Sequence, residues 1–177
     1  MSFKQQSGLI GLMLASSTIP HVAYSQVFMT EEQAVKTLFK DLKMNRKLVI
    51  LAPEDIRQIE HMSDERVRSA SITVWIGPKK EMLFVDEVLG KHEFITYAVA
   101  ILNGQVTALE VLQYRETFGQ AILKPEWRKQ FLSKDASAPL KLNQDILNIS
   151  GATLSCSHVT AGVRRVLKTY ELLKARL

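Results

Sequence analysis

The residues with the clearest chemical potential form a short run of small and hydroxyl-bearing side chains before the last amphipathic segment of the chain. They are Ser150, Gly151, Ala152, Thr153, Leu154 and Ser155. Small residues let a bulky group approach the backbone, and the N–H groups and positive dipole end of a helix favour a phosphate. The same run could also serve only to cap the helix. Neither a GxxxxGK[ST] loop nor a GxGxxG turn after a strand is present, which argues against P-loop and Rossmann nucleotide sites.

This run resembles the Ser/Thr-Gly-Ala-Thr motif of the FMN-binding domain family. That family includes the flavin-carrying subunits of sodium-translocating NADH:quinone reductase and of Rnf-type membrane complexes. A second matching stretch follows a predicted strand at residues 114–119, where Tyr-Arg-Glu-Thr-Phe-Gly is similar to the family's Glu-Thr-Pro-Gly. A third block, residues 86–93, is typical of small secreted members. The resemblance extends from about Val85 to Leu173.

The resemblance implies a cofactor and a way of attaching it. FMN would be joined to Thr153 by a phosphoester bond, because that threonine matches the one that the family modifies. Glu116 and Thr117 could hydrogen-bond the flavin ring or its ribityl chain, or could cap a turn. His158 could reach the phosphate, or could be a surface or capping histidine. A threonine hydroxyl is a weak nucleophile, so a separate Mg-dependent FAD:protein FMN transferase is implied as a partner.

Two positions depart from the family pattern. Phe118 stands where the second motif has proline, and Leu147 stands where an acidic residue usually precedes the Ser-Gly-Ala-Thr run by three positions. Asp145 lies two residues earlier and could take that role through a different loop. The alternative is that the transferase tolerates the absence of an acid at position 147.

The hydrophobic pattern predicts an α+β domain, with an antiparallel sheet flanked by helices. Helices are expected at about 31–43, from Ala52 onward, at about 124–132 and from Ser155 to the C-terminal region. Alternation with a period of two predicts three or four antiparallel strands between about 70 and 114. Asn103-Gly104 is a strong hairpin signal inside this region, because both residues accept a positive φ.

The first 25 residues have the composition of a secretory signal. A polar start with Lys4 precedes an apolar run of about a dozen residues, which is shorter than the ~20 that span a bilayer. Pro20 ends the run, and cleavage is expected after Ser25. The mature domain would then be residues 26–177, and the protein would be periplasmic or secreted. The alternative is a buried or anchoring N-terminal helix.

Composition narrows the function classes. The chain has a single cysteine, Cys156, so it has no CxxC pair, and redox chemistry would need a borrowed cofactor. The net charge of +5 is scattered and does not argue for nucleic acid. The resemblance, together with the signal-like first 25 residues, implies an exported FMN-binding electron-transfer protein that serves a membrane or periplasmic redox partner. The alternatives are a flavin-dependent reductase with its own small-molecule substrate and a binding module without flavin.

Overall fold

A computed structural model of the chain describes residues 26–176, which form one six-stranded antiparallel sheet with helices on both faces. The strands are β1 (Gln26–Val27), β2 (Asn45–Ile50), β3 (Ser71–Ile76), β4 (Met82–Leu89), β5 (Phe94–Leu102) and β6 (Gln105–Tyr114). Their order across the sheet is β1-β6-β5-β4-β3-β2. The expected α+β class is therefore confirmed. The predicted signal segment, residues 1–25, lies outside the described residues.

The helices begin close to the residues that the sequence indicates. They are α1 (Glu31–Phe39), α2 (Pro53–Ser63), α3 (Pro125–Arg128) and α4 (Thr153–Leu173), with short 3-10 turns at Gln120–Leu123 and Lys129–Phe131. The capping box of α1 forms as expected, since Thr30 Oγ1 accepts the Gln33 N–H at 3.2 Å and Gln33 Oε1 accepts the Thr30 N–H at 2.7 Å. The helix ends at Phe39, before the predicted residue 43, because Lys40 turns to a φ of +48°.

The central strands follow the predicted alternation, and β5 and β6 are joined at Asn103-Gly104 with φ values of +51° and +84°. Two edge strands lie outside the predicted region. The two-residue β1 pairs with the end of β6, and β2 pairs with β3. In β2, Leu48 and Ile50 are 57% and 68% exposed. The strand is held by backbone pairing, by the inward-facing Val49 and by Arg46, which donates to Glu31 and to Thr73.

The main core lies between one face of the sheet and α4. Phe84, Tyr97 and Val99 from the sheet meet Val163 and Leu167 from the helix, and all five are almost wholly buried. A smaller cluster on the opposite face packs around Ala34 of α1. The long α4 therefore determines how the C-terminal third of the described chain is placed on the sheet.

Gly162 allows α4 to approach the sheet closely. A Cβ at this position would lie 2.1 Å from the Tyr97 hydroxyl oxygen and 2.8 Å from Val88 Cγ1. The Tyr97 hydroxyl donates to Asp86 Oδ2 at 2.8 Å, and Arg165 Nη2 donates to the same oxygen at 2.7 Å. Complete burial raises the pKa of Tyr97 well above its ordinary value, so the phenol stays a neutral donor.

We expect Gly162→Ala to destabilise the protein by about 1–2 kcal/mol, although alanine is the better helix former by about 1 kcal/mol. The added methyl group has no space against the rigid Tyr97 ring, so α4 must shift away from the sheet. Urea unfolding monitored by circular dichroism measures the loss. The Gly162→Ala/Tyr97→Phe double variant should lose less than the sum of the two single variants, and strict additivity would contradict the contact.

Candidate functional site

The Ser-Gly-Ala-Thr run forms the turn into α4, and Thr153 is the first residue of that helix. Gly151 has a φ of +80°, while a Cβ built on it would meet no atom within 4 Å. Glycine is therefore needed here for the backbone conformation and not for space. Ala152 is the N-cap residue and has no side-chain acceptor for the first-turn N–H groups. These donors and the helix dipole suit an anion that approaches the exposed Thr153.

Asn148 orients the Thr153 hydroxyl. Its Nδ2 donates to Thr153 Oγ1 at 3.0 Å, and this hydrogen bond fixes the orientation of the Thr153 hydroxyl group. The Asn148 Oδ1 atom is buried and, among residues 26–176, has no hydrogen-bond partner. This buried amide oxygen next to Thr153 is left for a donor outside the described residues, because buried polar atoms are normally paired.

The second motif stretch meets the first one at Gly119. This glycine has a φ of +78°, and a Cβ on it would lie 2.3 Å from Ser155 Oγ. Ser155 is buried, and the Tyr114 hydroxyl beside it donates to the Phe118 carbonyl. Burial raises the pKa of the Tyr114 phenol. Ser155 thus faces the interior, whereas Ser150, Gly151, Thr153 and Leu154 are exposed.

Glu116 and His158 both bind the turn between β4 and β5. The buried Glu116 Oε1 accepts the backbone N–H groups of His92 and of Glu93, the latter at 3.0 Å. The His158 ring hydrogen-bonds the Leu89 carbonyl through Nδ1, which must therefore carry the proton. Glu116 and His158 therefore both have protein partners, and both fix the segment from Leu89 to Glu93.

A cavity of about 280 Å³ lies at the end of β6, beside the Glu-Thr stretch. Gln26, Tyr114, Glu116, Thr117 and Gln120 line it, and the Thr117 side chain is exposed. The cavity provides hydroxyl, carboxylate and amide groups at the end of β6. Glu116 and Thr117 of the Glu-Thr motif therefore border the same cavity as Gln26 of the edge strand β1.

Asp145, the acid that could replace the one missing at position 147, has a clear structural role. Asp145 accepts the Lys141 N–H at 2.8 Å and the Leu140 N–H at 3.2 Å, and its Oδ2 lies 3.0 Å from Lys134 Nζ. Although partial burial opposes it, this set of donors lowers the pKa of Asp145. The carboxylate of Asp145 thus stabilises its own turn, and within residues 26–176 it forms no hydrogen bond with Thr153.

The backbone of Leu147 is fixed while its side chain is free. Its N–H donates to Gln130 Oε1 at 2.7 Å, and its carbonyl accepts the Trp127 indole N–H at 2.9 Å. The side chain is 72% exposed. Trp127 is buried, and its indole ring packs in the main core.

Cys156 is a packed residue and not a reactive thiol. It is fully buried in the main core, and desolvation raises the pKa of its thiol. Within residues 26–176, no group of three or more His, Cys, Asp and Glu side chains could hold a metal ion. Over the same range, no helix is long and apolar enough to cross a membrane.

Sequence reasoning missed Asn148. A lone asparagine in a polar loop gives no signal of its own, and its role depends on the turn at Gly151 that brings residues 148 and 153 together. It also missed Phe118 and Lys91 as neighbours. The Phe118 ring is 55% exposed, and Lys91 Nζ lies 4.6 Å from its centroid.

Comparison with known proteins gives one match. The family model described as FMN-binding domain matches residues 90–168, which contain β5, β6, both motif stretches and most of α4. No curated protein and no solved structure matches the chain.

We expect Asp145→Asn to lower stability at neutral pH by about 1–2 kcal/mol, because the ion pair and one charged hydrogen bond are lost. The folded-state pKa of Asp145 is depressed, so its contribution is complete above the unfolded pKa of about 4 and is lost as the pH falls through the folded value. The difference between wild type and variant should therefore shrink below about pH 4. Urea unfolding at several pH values measures it.

The matched control is Asp41→Asn, which changes an exposed carboxylate in the loop after α1. This variant should remain within about 0.5 kcal/mol of wild type at every pH. A gap between Asp145→Asn and wild type that stays constant down to pH 2 would show that the carboxylate charge is not what stabilises this turn.

Proposed function

Residues 90–168 are an FMN-binding domain, and from this premise we propose that the protein is an exported electron carrier with FMN joined to Thr153 by a phosphoester bond. FMN is the cofactor. The single observation that supports attachment at Thr153 is its position: an exposed hydroxyl at a helix start, held by Asn148, beside a buried amide atom that lacks a partner.

The residues present fit FMN. A phosphate on Thr153 Oγ1 would lie beside the first-turn N–H groups of α4, which Ala152 cannot cap. The unpaired Asn148 amide atom offers one further hydrogen bond to a polar group of the cofactor. Thr117 offers an exposed hydroxyl in the cavity near the end of β6, and Glu116 borders the same cavity.

The protein's contribution is to hold and orient the cofactor. Bound FMN supplies a ring that takes up and gives up electrons. Gly151 sets the direction of the chain into α4, and Gly119 lets the Glu-Thr loop pack on Ser155. Glu116 and His158 fix the turn from Leu89 to Glu93 from two sides. We propose that Glu116 and His158 shape the environment of the flavin ring by fixing this turn, and that Thr117 does so with its exposed side chain.

Attachment would require a partner enzyme. We propose a Mg-dependent transferase that cleaves FAD, leaves FMN on Thr153 and releases AMP as the other product. Thr153 would lose its hydroxyl proton as the new P–O bond forms. Leu154 and Leu147, 47% and 72% exposed, provide apolar surface on which such a partner, or a membrane or periplasmic redox partner, could dock.

Intact-mass measurement tests the attachment. After co-expression with an FAD:protein FMN transferase, we expect wild type to gain the mass of one FMN less one water. Thr153→Ala should gain nothing, because it lacks the hydroxyl, and Thr153→Ser should be modified. The same spectrum tests export, since the proposed signal cleavage predicts a chain that starts at Gln26. Modification of Thr153→Ala to the wild-type level, or an unmodified wild type, would refute the phosphoester bond.

A second variant tests why position 147 matters. We expect Leu147→Asp to increase the flavinylated fraction, because it places an acid where the family motif has one, on a side chain that points to solvent. Stability should stay within about 0.5 kcal/mol, since the backbone contacts to Gln130 and Trp127 are unchanged. Leu132→Asp, at another exposed leucine outside both motifs, is the control and should leave the fraction unchanged. Equal yields for wild type and Leu147→Asp would contradict the role of the acid.

A further inference from the structure

A second cavity, of about 390 Å³, lies between the C-terminal half of α4 and the edge of β4. Arg165, Val166 and Thr169 line it from the helix, and Asp86 and Glu87 line it from the strand. Thr169 is sixteen residues beyond Thr153, which corresponds to about 24 Å along an α-helix. The cavity is therefore separate from the attachment threonine.

The cavity exists because β3 and β4 differ in length. The pairing of β3 with β4 runs from Thr73 opposite Val85 to Ile76 opposite Met82, so β4 continues past the last paired residue towards Leu89. The unpaired end of β4 leaves a gap beside β3. The residues before β3 and one side of α4 enclose this gap. Ser69 and Ser71 stand on the β3 side of it.

The inner walls are apolar. Leu51 and Phe84 are 4% and 2% exposed, and Ile72 and Val166 pack beside them in the same cavity wall. The volume is at the lower end of the roughly 300–1,000 Å³ that small-molecule sites occupy. Such a surface favours the apolar body of a small ligand.

Both acids on the cavity wall are already paired. Asp86 Oδ2 accepts from Arg165 and from Tyr97, at 2.7 and 2.8 Å. Glu87 Oε2 accepts from Arg115 at 3.3 Å and from Thr96 at 3.1 Å. Arginine side chains therefore balance the negative charges of both carboxylates, and neither charge is left without a partner on the cavity wall.

Arg68 is the second cationic residue that lines the cavity, besides Arg165. It lines the cavity, is exposed, and forms no hydrogen bond or ion pair with any residue in the range 26–176. It stands where the cavity meets solvent, and its planar guanidinium matches a carboxylate or sulfonate. An apolar interior with one free cation at its mouth is complementary to an apolar anion.

We propose that this cavity binds a small aromatic anion, with its ring system against Phe84 and Ile72 and its acid group on Arg68. The site does not depend on the FMN at Thr153. It is a ligand-binding function additional to the carriage of the cofactor.

Two dyes with closely similar ring systems test this proposal. Anilinonaphthalene sulfonate is the anionic probe, and N-phenylnaphthylamine is the neutral one. Binding is measured by calorimetry on the full flavin-loaded chain and on Thr153→Ala. Arg68→Gln removes the free cation and Ser71→Phe fills the cavity. Arg66→Gln is the matched control, because Arg66 is an exposed arginine two residues away whose side chain does not line the cavity.

We expect one site for the anionic dye on both the flavin-loaded chain and Thr153→Ala. Arg68→Gln should weaken it about fivefold and bring it level with the neutral dye. Ser71→Phe should abolish binding of both dyes, with circular dichroism verifying its fold, and Arg66→Gln should bind as wild type does. The proposal is overturned if the dyes bind wild type equally, if Arg68→Gln or a folded Ser71→Phe variant binds the anionic dye as wild type does, or if added FMN displaces it from Thr153→Ala.

Discussion

The close contact of α4 with the sheet at Gly162 is the constraint on which the rest of this structure depends. The helix can lie against Tyr97 and Val88 only because residue 162 has no side chain. At that distance Arg165 reaches Asp86, so the ion pair between these two residues is formed by the same approach. Since α4 is one continuous helix, the way it packs on the sheet also determines the position of its first residue, Thr153.

Most polar groups around Thr153 maintain the scaffold. Glu116 and His158 hold the turn between β4 and β5, Ser155 packs against Gly119, and Asp145 closes its own loop. Thr153 and the Asn148 amide differ from them, because they face outward or lack a partner. A cofactor would thus enter a surface whose shape is fixed in advance, which reduces the ordering that binding requires.

The sequence predicts what depends on local chemistry. Asn103-Gly104 specifies its hairpin, Thr30 and Gln33 specify a capping box, and alternating residues specify β3 to β6, because each signal involves neighbours along the chain. The strand β2 was not predicted, because its outward Leu48 and Ile50 remain exposed and its pairing is with a strand beyond an intervening helix. Likewise, the position of the Ser-Gly-Ala-Thr run at a helix start follows from its composition. The contact of Asn148 with Thr153 and the binding of Glu116 to a distant turn require the folded chain.

The ion pair beneath α4 also has a consequence for the order in which the molecule assembles. Hairpins β4 to β6 are made of contacts between neighbouring segments, which form early because little chain must be closed into loops. Arg165 is 79 residues away from Asp86 in sequence. Until α4 has emerged from the ribosome, Asp86 lacks its Arg165 partner. The core face of the sheet is then covered only in part, by residues such as Ile122 and Phe131. The domain therefore stays incompletely folded until α4 has been synthesised, and this helix both closes the core and completes the surface on which Thr153 is presented.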